Sequence, residues 1–404
     1  MEELIGLLAL WVVSGTTLFV WHYWGWLRKA WCEPVLRQLV VIFESDDWGP
    51  GGTDDVQALQ RLTAILESYR DSTGRPAVMT LGVVLAVPDT RLQEVRRGEE
   101  YVCRSLDDDA FRLVRTMLSD GEQRGVFALQ LHGMEHYWPA ALMKAARAQP
   151  EVLQWLDNED VPRTERLPSA LQTRWADCAT LPAAPIDEHI VRAAVDDEVT
   201  TFVWTDATEE AWAANAVQVI VTPGQQYTGR DSHGALEGGG ERFWNGQAGP
   251  SGLSRVVRDT YFEPAYGHRK GDGLRILEER LRCGQPVLME THRFNYLSEL
   301  SEDVNTAFAE LEGLLNDALD RFPQLVFRST QELATALESR DEQLVERSVW
   351  RRVWPVLSRL NAVPGLRRWA ILSGAVVPGI CLVVIGWLTR RRVYPELENE
   401  SANA

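Results

Sequence analysis

The stretch VIFESDDWGPGG, residues 41–52, passes from an apolar run through Glu-Ser into two adjacent aspartates. Residues 39–43 have the composition of a buried strand, and the Gly-Pro-Gly-Gly that follows predicts a loop. Neighbouring carboxylates repel each other unless a cation, a proton or water relieves the repulsion. Asp46 and Asp47 therefore indicate either a solvated turn or helix cap, or one half of a metal site.

Apolar runs of strand length alternate with helical patterns from residue 38 to residue 345. The candidate strands are 39–43, 78–85, 126–131, 201–204, 217–222, 286–290 and 324–327. Helical patterns occupy 53–69, 108–123 and 302–320, and Ser-Thr-Gln-Glu at 329–332 has the form of a capping box. This alternation predicts one α/β domain over residues 38–345 with a mainly parallel sheet, either open or closed into a seven-stranded barrel.

Charge and cysteine content limit the possible function classes. The chain has 404 residues, of which 45% are hydrophobic, and a formal net charge of -17. Nucleic acid is not an expected partner, because its binding needs clustered Lys and Arg. The five cysteines are scattered without a CxxC spacing, so we expect neither a disulfide framework nor a zinc-thiolate site.

Residues 4–26 form an apolar segment without Asp, Glu, Lys or Arg, long enough to cross a hydrocarbon core of about 30 Å. A cleaved signal peptide is the alternative, and it would begin with positive charge and end at small residues. This segment follows Glu2 and Glu3 and precedes Arg28 and Lys29. The flanking charges therefore favour an uncleaved membrane anchor.

A second apolar segment, residues 369–388, lies between arginine clusters near the C-terminus. With two spans, both termini would lie on one side of the membrane and the domain on the other. Basic residues beside the spans are more numerous on the domain side, so the positive-inside rule favours a cytoplasmic domain. The sequence thus predicts a two-span protein of a bacterial inner or plasma membrane, with membrane lipid as a partner.

Three groups of ionisable side chains follow predicted strands. Asp46 and Asp47 follow the first strand, His132 and His136 follow the third, and His292 follows the sixth. Taken alone, two histidines at i and i+4 are more often surface or core residues than metal ligands. The carboxyl ends of the strands of a βα barrel meet at one face, however, so all five side chains are candidates for a single site. Imidazole and carboxylate groups together can hold a divalent cation.

The order of these groups resembles the polysaccharide deacetylase family, the NodB-homology carbohydrate esterases. The family's Thr-Phe-Asp-Asp motif corresponds to residues 44–47 (Glu-Ser-Asp-Asp), and its His-x-x-x-His corresponds to residues 132–136. Its late Leu-x-His corresponds loosely to residues 290–292 (Glu-Thr-His). The resemblance covers residues 38–335 and implies a distorted (β/α)7 barrel.

The resemblance also implies a role for each position. Asp47, His132 and His136 would bind a divalent metal ion, with Zn²⁺ as the first expectation. Asp46 would be the general base that takes a proton from the attacking water, and His292 would be the general acid that protonates the leaving amine.

The chain departs from the family in the third motif, where an Arg-x-Pro sequence supplies an arginine that orients the base. The corresponding stretch here, residues 202–206 (Phe-Val-Trp-Thr-Asp), contains no arginine. Arg258 or Arg293 from another strand end is the candidate replacement, and Glu263 is the candidate partner that orients His292. Together with Trp48, these three residues are also candidates for substrate binding.

The sequence therefore favours a metal-dependent hydrolase that removes N-acetyl or O-acetyl groups from a cell-envelope polysaccharide or a lipid-linked sugar. The expected partner is an N-acetylated glycan or lipid-linked sugar. One alternative is a hydrolase of another amide or ester on the same barrel, since a fold does not fix its substrate. The other is a non-catalytic membrane protein that binds glycan. A purely binding barrel has no physical need for all five ionisable groups, which favours the enzyme.

Overall fold

A computed structural model describes residues 2–135, 139–158, 161–163, 165, 198–200, 204–215, 217–230, 236–240, 242–298, 303–361, 363–380 and 384. Within these residues the α-helices are α1 (Glu2–Cys32), α2 (Thr53–Ser68), α3 (Gln93–Arg96), α4 (Arg112–Gln123), α5 (Pro139–Ala148), α6 (Pro150–Asn158), α7 (Asp206–Ala214), α8 (Lys270–Cys283), α9 (Val304–Arg321), α10 (Thr330–Ser339), α11 (Val349–Leu360) and α12 (Leu366–Leu372). Short 3-10 helices lie at Asp109–Phe111, Pro264–Tyr266 and Arg293–Tyr296.

The strands in the same residues are β1 (Val40–Trp48), β2 (Met79–Val83), β3 (Ala86–Pro88), β4 (Cys103–Ser105), β5 (Phe127–Leu131), β6 (Glu198–Thr200), β7 (Val219–Thr222), β8 (Gly229–Arg230), β9 (Leu236–Glu237), β10 (Gln247–Ala248), β11 (Ser254–Val257), β12 (Thr260–Tyr261), β13 (Val287–His292) and β14 (Val326–Phe327). Of the predicted strand 201–204, residues 201–203 lie outside the described residues.

The central sheet has six parallel strands. Its order is β12-β13-β1-β2-β5, and β14 pairs with the start of β1. Every pairing in this sheet is parallel. Helices α2, α4, α8 and α9 contribute Leu59, Leu118, Leu277 and Leu311 to the same buried cluster as Val41 of β1. The expected α/β domain with a mainly parallel sheet is therefore confirmed.

A closed seven-stranded barrel is not present among the described strands, which divide into two main sheets and two short antiparallel pairs. The second main sheet has the order β10-β11-β7-β6. The chain passes from this sheet to the central one at Arg258 and Asp259, between β11 and β12. Among the described residues no strand of this second sheet pairs with a strand of the central sheet, so the hydrogen-bond ladder does not close into a barrel.

Strand β1 extends well beyond the predicted 39–43 run. All nine of its residues are buried, including both aspartates. Its pairing with β2 shifts register between Ser45 and Trp48, and Asp47 within this step has a φ of 75°. Such a bulge leaves one residue unpaired and re-aims its side chain. The two aspartates therefore belong to a buried, irregular strand end rather than to a solvated turn.

Helix α1 matches the expected N-terminal span. In the part of the chain that the structure describes, Glu3–Cys32 is the one helix long and apolar enough to cross a membrane, by length and composition alone. The expected second span at 369–388 is not supported. Helix α12 ends at Leu372, and a turn follows in which Gly374 has a φ of 74°. This left-handed conformation ends a helix, so the described residues of the segment form no continuous span.

Candidate active site

Two neighbouring strands place four ionisable side chains on one face. Strands β1 and β13 are parallel and pair Glu44 with Glu290 and Asp46 with His292. Because alternate residues of a strand point to the same side, these side chains form two successive rows. Glu44, Asp46 and Glu290 are each at most 5% exposed. Carboxylates buried to this extent need compensating positive charge.

Arg258, in the connection between β11 and β12, supplies that positive charge. Its Nη1 donates to Glu44 Oε2 and to Asp46 Oδ2, both at 2.9 Å. Its Nε lies 3.1 Å from Glu290 Oε2. One buried guanidinium thus contacts three buried carboxylates and fixes one oxygen of Asp46.

Asp46 is held in its ionised form. Burial raises the pKa of Asp46, but the charges of Arg258, His132 and His292 outweigh this and leave the pKa below its ordinary value. Gly82 of β2 makes room for the carboxylate, because a Cβ at that position would lie 2.6 Å from Asp46 Oδ1. Asp46 is therefore an ionised carboxylate with one oxygen on Arg258 and the other beside Gly82.

Asp47 and His132 meet at the ends of β1 and β5. Asp47 Oδ1 lies 3.4 Å from His132 Nε2, and both side chains are buried. Burial lowers the pKa of His132, but the charge of Asp46 and the hydrogen bond that His132 donates to Asp47 raise it above the ordinary value. This pair therefore attracts positive charge, either a proton or a cation. His136, the third expected ligand, lies outside the described residues.

His292 faces two carboxylates from its two ring nitrogens. Nδ1 lies 2.6 Å from Glu263 Oε1, and Nε2 lies 3.6 Å from Glu290 Oε1. Burial lowers the pKa of His292, but the hydrogen bond to Glu263 and the charge of Asp47 raise it to about 10. The imidazole is therefore protonated at neutral pH, with Nδ1 engaged by Glu263.

Glu290 lies between Arg258 and His292 and contacts both. Burial raises the pKa of Glu290 to about 7. Ligand atoms of Asp46, Glu290 and His292 lie within 4.8 Å of one another, a spacing at which three such groups could hold a metal ion. Arg258 already contacts both carboxylates of this group. The guanidinium therefore already supplies positive charge to the carboxylates that a metal ion would otherwise neutralise.

The four candidates for substrate binding occupy different environments. Trp48 is fully buried in the core and donates from its indole Nε1 to Ser45 Oγ at 2.9 Å, so it offers no surface to a ligand in this conformation. Arg293 is also buried, and its Nη2 lies 2.9 Å from Glu165 Oε1. Arg258 and Glu263 contact the ionisable cluster itself, Arg258 at Asp46 and Glu263 at His292.

Sequence reasoning did not identify Glu44 and Glu290 as members of the site. Each is the first acidic residue after an apolar run within a strand, Val-Ile-Phe-Glu in β1 and Val-Leu-Met-Glu in β13. An acid inside a buried strand requires a partner, so this pattern was an available signal. The partner itself could not be read from the sequence, because Arg258 lies more than two hundred residues from Glu44.

No protein-family model matches the chain, and no curated protein matches it. Among solved structures it is similar to a 4-alpha-glucanotransferase from Thermococcus litoralis, with 10% identity and a TM-score of 0.36 over 74% of this chain and 40% of that one. It is also similar to a provisionally named glycoside hydrolase/deacetylase from Parabacteroides distasonis, with 9% identity and a TM-score of 0.37 over 77% of this chain and 74% of that one. With TM-scores of 0.36 and 0.37, neither likeness identifies a function for this chain.

Proposed function

We propose that the protein is a metal-dependent hydrolase that removes the N-acetyl group of an amino sugar. The observation that carries the proposal is the arrangement of Asp46 and His292. They are register partners on adjacent strands, and their environments drive them to opposite protonation states. An ionised carboxylate beside a protonated imidazole is the pairing that base-assisted attack and acid-assisted departure require.

Asp46 is suited to the role of general base. Its Oδ2 is fixed by Arg258, which leaves Oδ1 to accept a proton from the attacking water. The lowered pKa keeps this carboxylate ionised over the whole neutral range. Arg258 thereby serves as the arginine that the third motif lacks.

The residues beside Asp46 fit a divalent cation. Two ligands of a tetrahedral zinc ion lie about 3.3 Å apart, close to the 3.4 Å between Asp47 Oδ1 and His132 Nε2. We assign the ion to these two residues and His136 rather than to Asp46, Glu290 and His292, because Arg258 already neutralises that group. When bound, a Zn²⁺ ion would lower the pKa of its water to about 7 and polarise the acetyl carbonyl.

His292 is suited to the role of general acid. Because Nδ1 is engaged by Glu263, the proton on Nε2 is the one available to the leaving amine. When the bond between the acyl carbon and the amine nitrogen breaks, that nitrogen takes the proton from Nε2. Water supplies the oxygen of the acetate, and its proton passes to Asp46.

The sugar would be part of an envelope polysaccharide or of a lipid carrier, and α1 would tether the enzyme to the membrane that holds either substrate. Both classes present the same N-acetyl group to the site. The direct test measures acetate release from N-acetylated oligosaccharides and from lipid-linked N-acetyl sugars, with and without chelator. We expect release that chelator abolishes and added Zn²⁺ restores.

Two variants separate metal binding from proton transfer. Purified protein should carry about one divalent ion per chain, and His132→Ala should lose it. Asp46→Asn should keep the ion and lose roughly 10²- to 10⁴-fold in turnover, because only the proton acceptor is removed. An unchanged metal content in His132→Ala would refute the ligand assignment, and full activity in Asp46→Asn would place the base elsewhere.

A further inference from the structure

Two cavities follow each other along one face of α1. The first has a volume of about 450 Å³ and extends from Trp11 to Tyr23. The second has a volume of about 520 Å³ and extends from Trp26 to Glu33. Because residues three and four positions apart lie on one side of a helix, the lining residues include a continuous row on α1: Trp11, Gly15, Leu18, His22, Trp26 and Lys29.

The first cavity is an apolar groove between α1 and the chain around α12. Its second wall is formed by Trp369, Leu372 and Ser373. Gly15 permits this close packing, because a Cβ there would overlap the Ser373 carbonyl oxygen. From Trp11 to Tyr23 the groove extends about 18 Å along the helix axis. One leaflet of the hydrocarbon core is about 15 Å thick, so the groove has the length of one acyl chain.

The second cavity presents two basic residues. It lies where α1 ends, and Lys29, Arg242 and Trp244 are among its lining residues. Lys29 Nζ donates to the Arg242 carbonyl oxygen at 2.7 Å, which fixes the lysine at the cavity wall. Among the described side chains neither Lys29 nor Arg242 forms an ion pair. Both charges are therefore available to an anion.

The acidic residue of this cavity is neutralised within the protein. Glu33 is 5% exposed, and its Oε2 accepts from Gln285 Nε2 at 2.8 Å and lies 3.5 Å from Arg359 Nη1. Its Oε1 accepts from Asn245 Nδ2 at 2.9 Å. The cavity thus keeps a positive charge although the whole chain has a formal net charge of -17.

The depths of the two cavities match the two regions of a membrane leaflet. The apolar segment of α1 ends at Trp26, which is 40% exposed, as is typical of an aromatic residue at the membrane interface. Lys29 lies three residues, about 4.5 Å, further along the helix. With α1 across the membrane, the groove lies in the hydrocarbon and Lys29 lies among the headgroups.

The chain beside the second cavity has the same sign of charge. Residues 347–368 contain six arginines and no Asp or Glu. The Arg352 guanidinium lies 4.7 Å from the centre of the Trp31 ring, and Val356 shares a buried cluster with Tyr23. These contacts hold the arginine-rich segment beside the end of α1. Clusters of basic residues next to a span attract anionic lipid.

We propose that this face of α1 binds one anionic phospholipid of the surrounding membrane. The headgroup phosphate lies in the second cavity between Lys29 and Arg242, and one acyl chain lies in the groove beside Leu18. A phospholipid carries an anion and an apolar chain at these two depths in one molecule. The inference does not depend on the proposed function, because Gln285 at the second cavity precedes β13, whereas His292 lies at the other end of that strand.

The test counts the lipids bound to the purified full chain in a non-ionic detergent by native mass spectrometry. The probes are dioleoyl phosphatidylglycerol, dioleoyl phosphatidylcholine and inorganic phosphate. The two lipids have the same chains, but only the first has a net negative charge. We expect phosphatidylglycerol to bind about tenfold more tightly than phosphatidylcholine. Inorganic phosphate should not displace it, because the phosphate ion lacks the acyl chain.

Charge variants test the headgroup cavity. Lys29→Gln combined with Arg242→Gln should remove the preference for phosphatidylglycerol and leave phosphatidylcholine binding unchanged. Lys29→Arg keeps the charge and should keep the preference, which separates a loss of charge from a loss of folding. Lys144→Gln combined with Arg112→Gln removes the same charges at exposed positions on α5 and α4 and should match wild type.

A bulky substitution tests the groove. Leu18→Trp fills part of it and should weaken the binding of both lipids to the same extent. Leu10→Trp adds the same bulk outside the groove at a residue of equal exposure, 65% against 64%, and should match wild type.

Three results would overturn the proposal. Equal affinity of wild type for the two lipids would remove the anion requirement. A preference that survives the loss of both Lys29 and Arg242 would place the headgroup elsewhere. Displacement of phosphatidylglycerol by inorganic phosphate, with unchanged binding in Leu18→Trp, would assign the second cavity to a soluble anion.

Discussion

Asp46 and Asp47 are neighbours in the chain but make different contacts. Asp46 follows the regular strand and reaches Arg258, whereas Asp47 has a left-handed φ and reaches His132. A non-glycine residue in this conformation costs of order 1–3 kcal/mol, and Asp accepts it more readily than most residues. The left-handed backbone conformation at Asp47 thus directs the two carboxylates toward different partners.

Glu263 sets the upper pH limit of the proposed reaction. The hydrogen bond from His292 to Glu263 and the charge of that carboxylate help raise the pKa of His292 to about 10. An acid must be protonated to act, so activity should be present below that pKa and fall as pH rises through it. Glu263→Gln removes the negative charge, and the alkaline limb of kcat/KM should therefore move to lower pH.

The acidic limb provides an internal control for this variant. It reports Asp46: burial raises the pKa of this carboxyl, and the charge of Arg258, rather than Glu263, is the main cause that lowers it below the ordinary value. Glu342→Gln, which changes an exposed carboxylate paired with Arg347, should leave the whole profile unchanged. An alkaline limb that stays in place in Glu263→Gln would show that another group is the acid.

The sequence could predict those residues of the site whose type and position after a strand already indicate their chemistry. It could not predict the tertiary contacts between them. The carboxylates at the end of β1 and the histidines after two other strands stand out because their residue types suit acid, base and metal chemistry. The choice between Arg258 and Arg293 required the tertiary contacts. Arg258 reaches Asp46, whereas Arg293 is engaged by Glu165 and Asp55. No sequence spacing encodes that difference.

At the scale of elements, β2 contributes to the site by leaving space. A Cβ at Gly82 would lie 2.6 Å from Asp46 Oδ1 and 3.3 Å from His132 Cβ. Gly82→Ala should therefore displace the base and lower kcat by about tenfold or more, with an overpacking cost of roughly 1–3 kcal/mol. Steady-state kinetics and thermal unfolding measure the two effects.

Gly271 provides the matched control for that substitution. It lies in α8, and a Cβ there would meet no atom within 4 Å. Gly271→Ala should keep kcat and slightly raise stability, because alanine favours the helix. If both variants keep wild-type kcat, the close packing of β2 against Asp46 is not required for turnover.

Local sequence patterns predicted the individual helices and strands better than they predicted how the strands pair into sheets. The capping box at 329–332 is present, with Glu332 N donating to Ser329 Oγ at 3.3 Å at the start of α10. Strands β11 and β12 were missed, because they are short and lie in the polar stretch around Arg258. Closure of a barrel depends on pairing between such distant strands, and hydrophobic periodicity does not report it.

At the scale of the whole molecule, Arg359 joins α1 to the α/β domain. Its guanidinium donates to the carbonyl oxygens of Ala30, Glu33 and Pro34 at the end of α1. It also donates to the carbonyls of Cys283 and Gly284, at the end of α8. One buried side chain therefore donates to carbonyls at two helix ends that lack a partner within their helix.

Arg359→Met should weaken this junction. The substitution leaves several buried carbonyls without their donor and the Glu33 carboxylate, 3.5 Å away, without its cation. We expect a loss of about 3–5 kcal/mol in the free energy of unfolding, measured by denaturant titration in detergent. Arg275→Met removes a solvent-exposed ion pair with Asp272 and should leave the free energy of unfolding almost unchanged. Equal losses in the two variants would contradict the junction.

The parallel register of β1 and β13 has a consequence for how the molecule can change over evolutionary time. The proposed base and acid share one rung of a hydrogen-bonded ladder, Asp46 opposite His292. A slip of one residue in either strand would turn that strand's side chain to the opposite face, so the spacing of the proposed reacting groups is inherited with the sheet itself. The turns at Pro264–Tyr266 and Arg293–Tyr296 lie outside that ladder. Substitutions in these turns can therefore alter the surroundings of the cluster while the spacing of the proposed base and acid is kept.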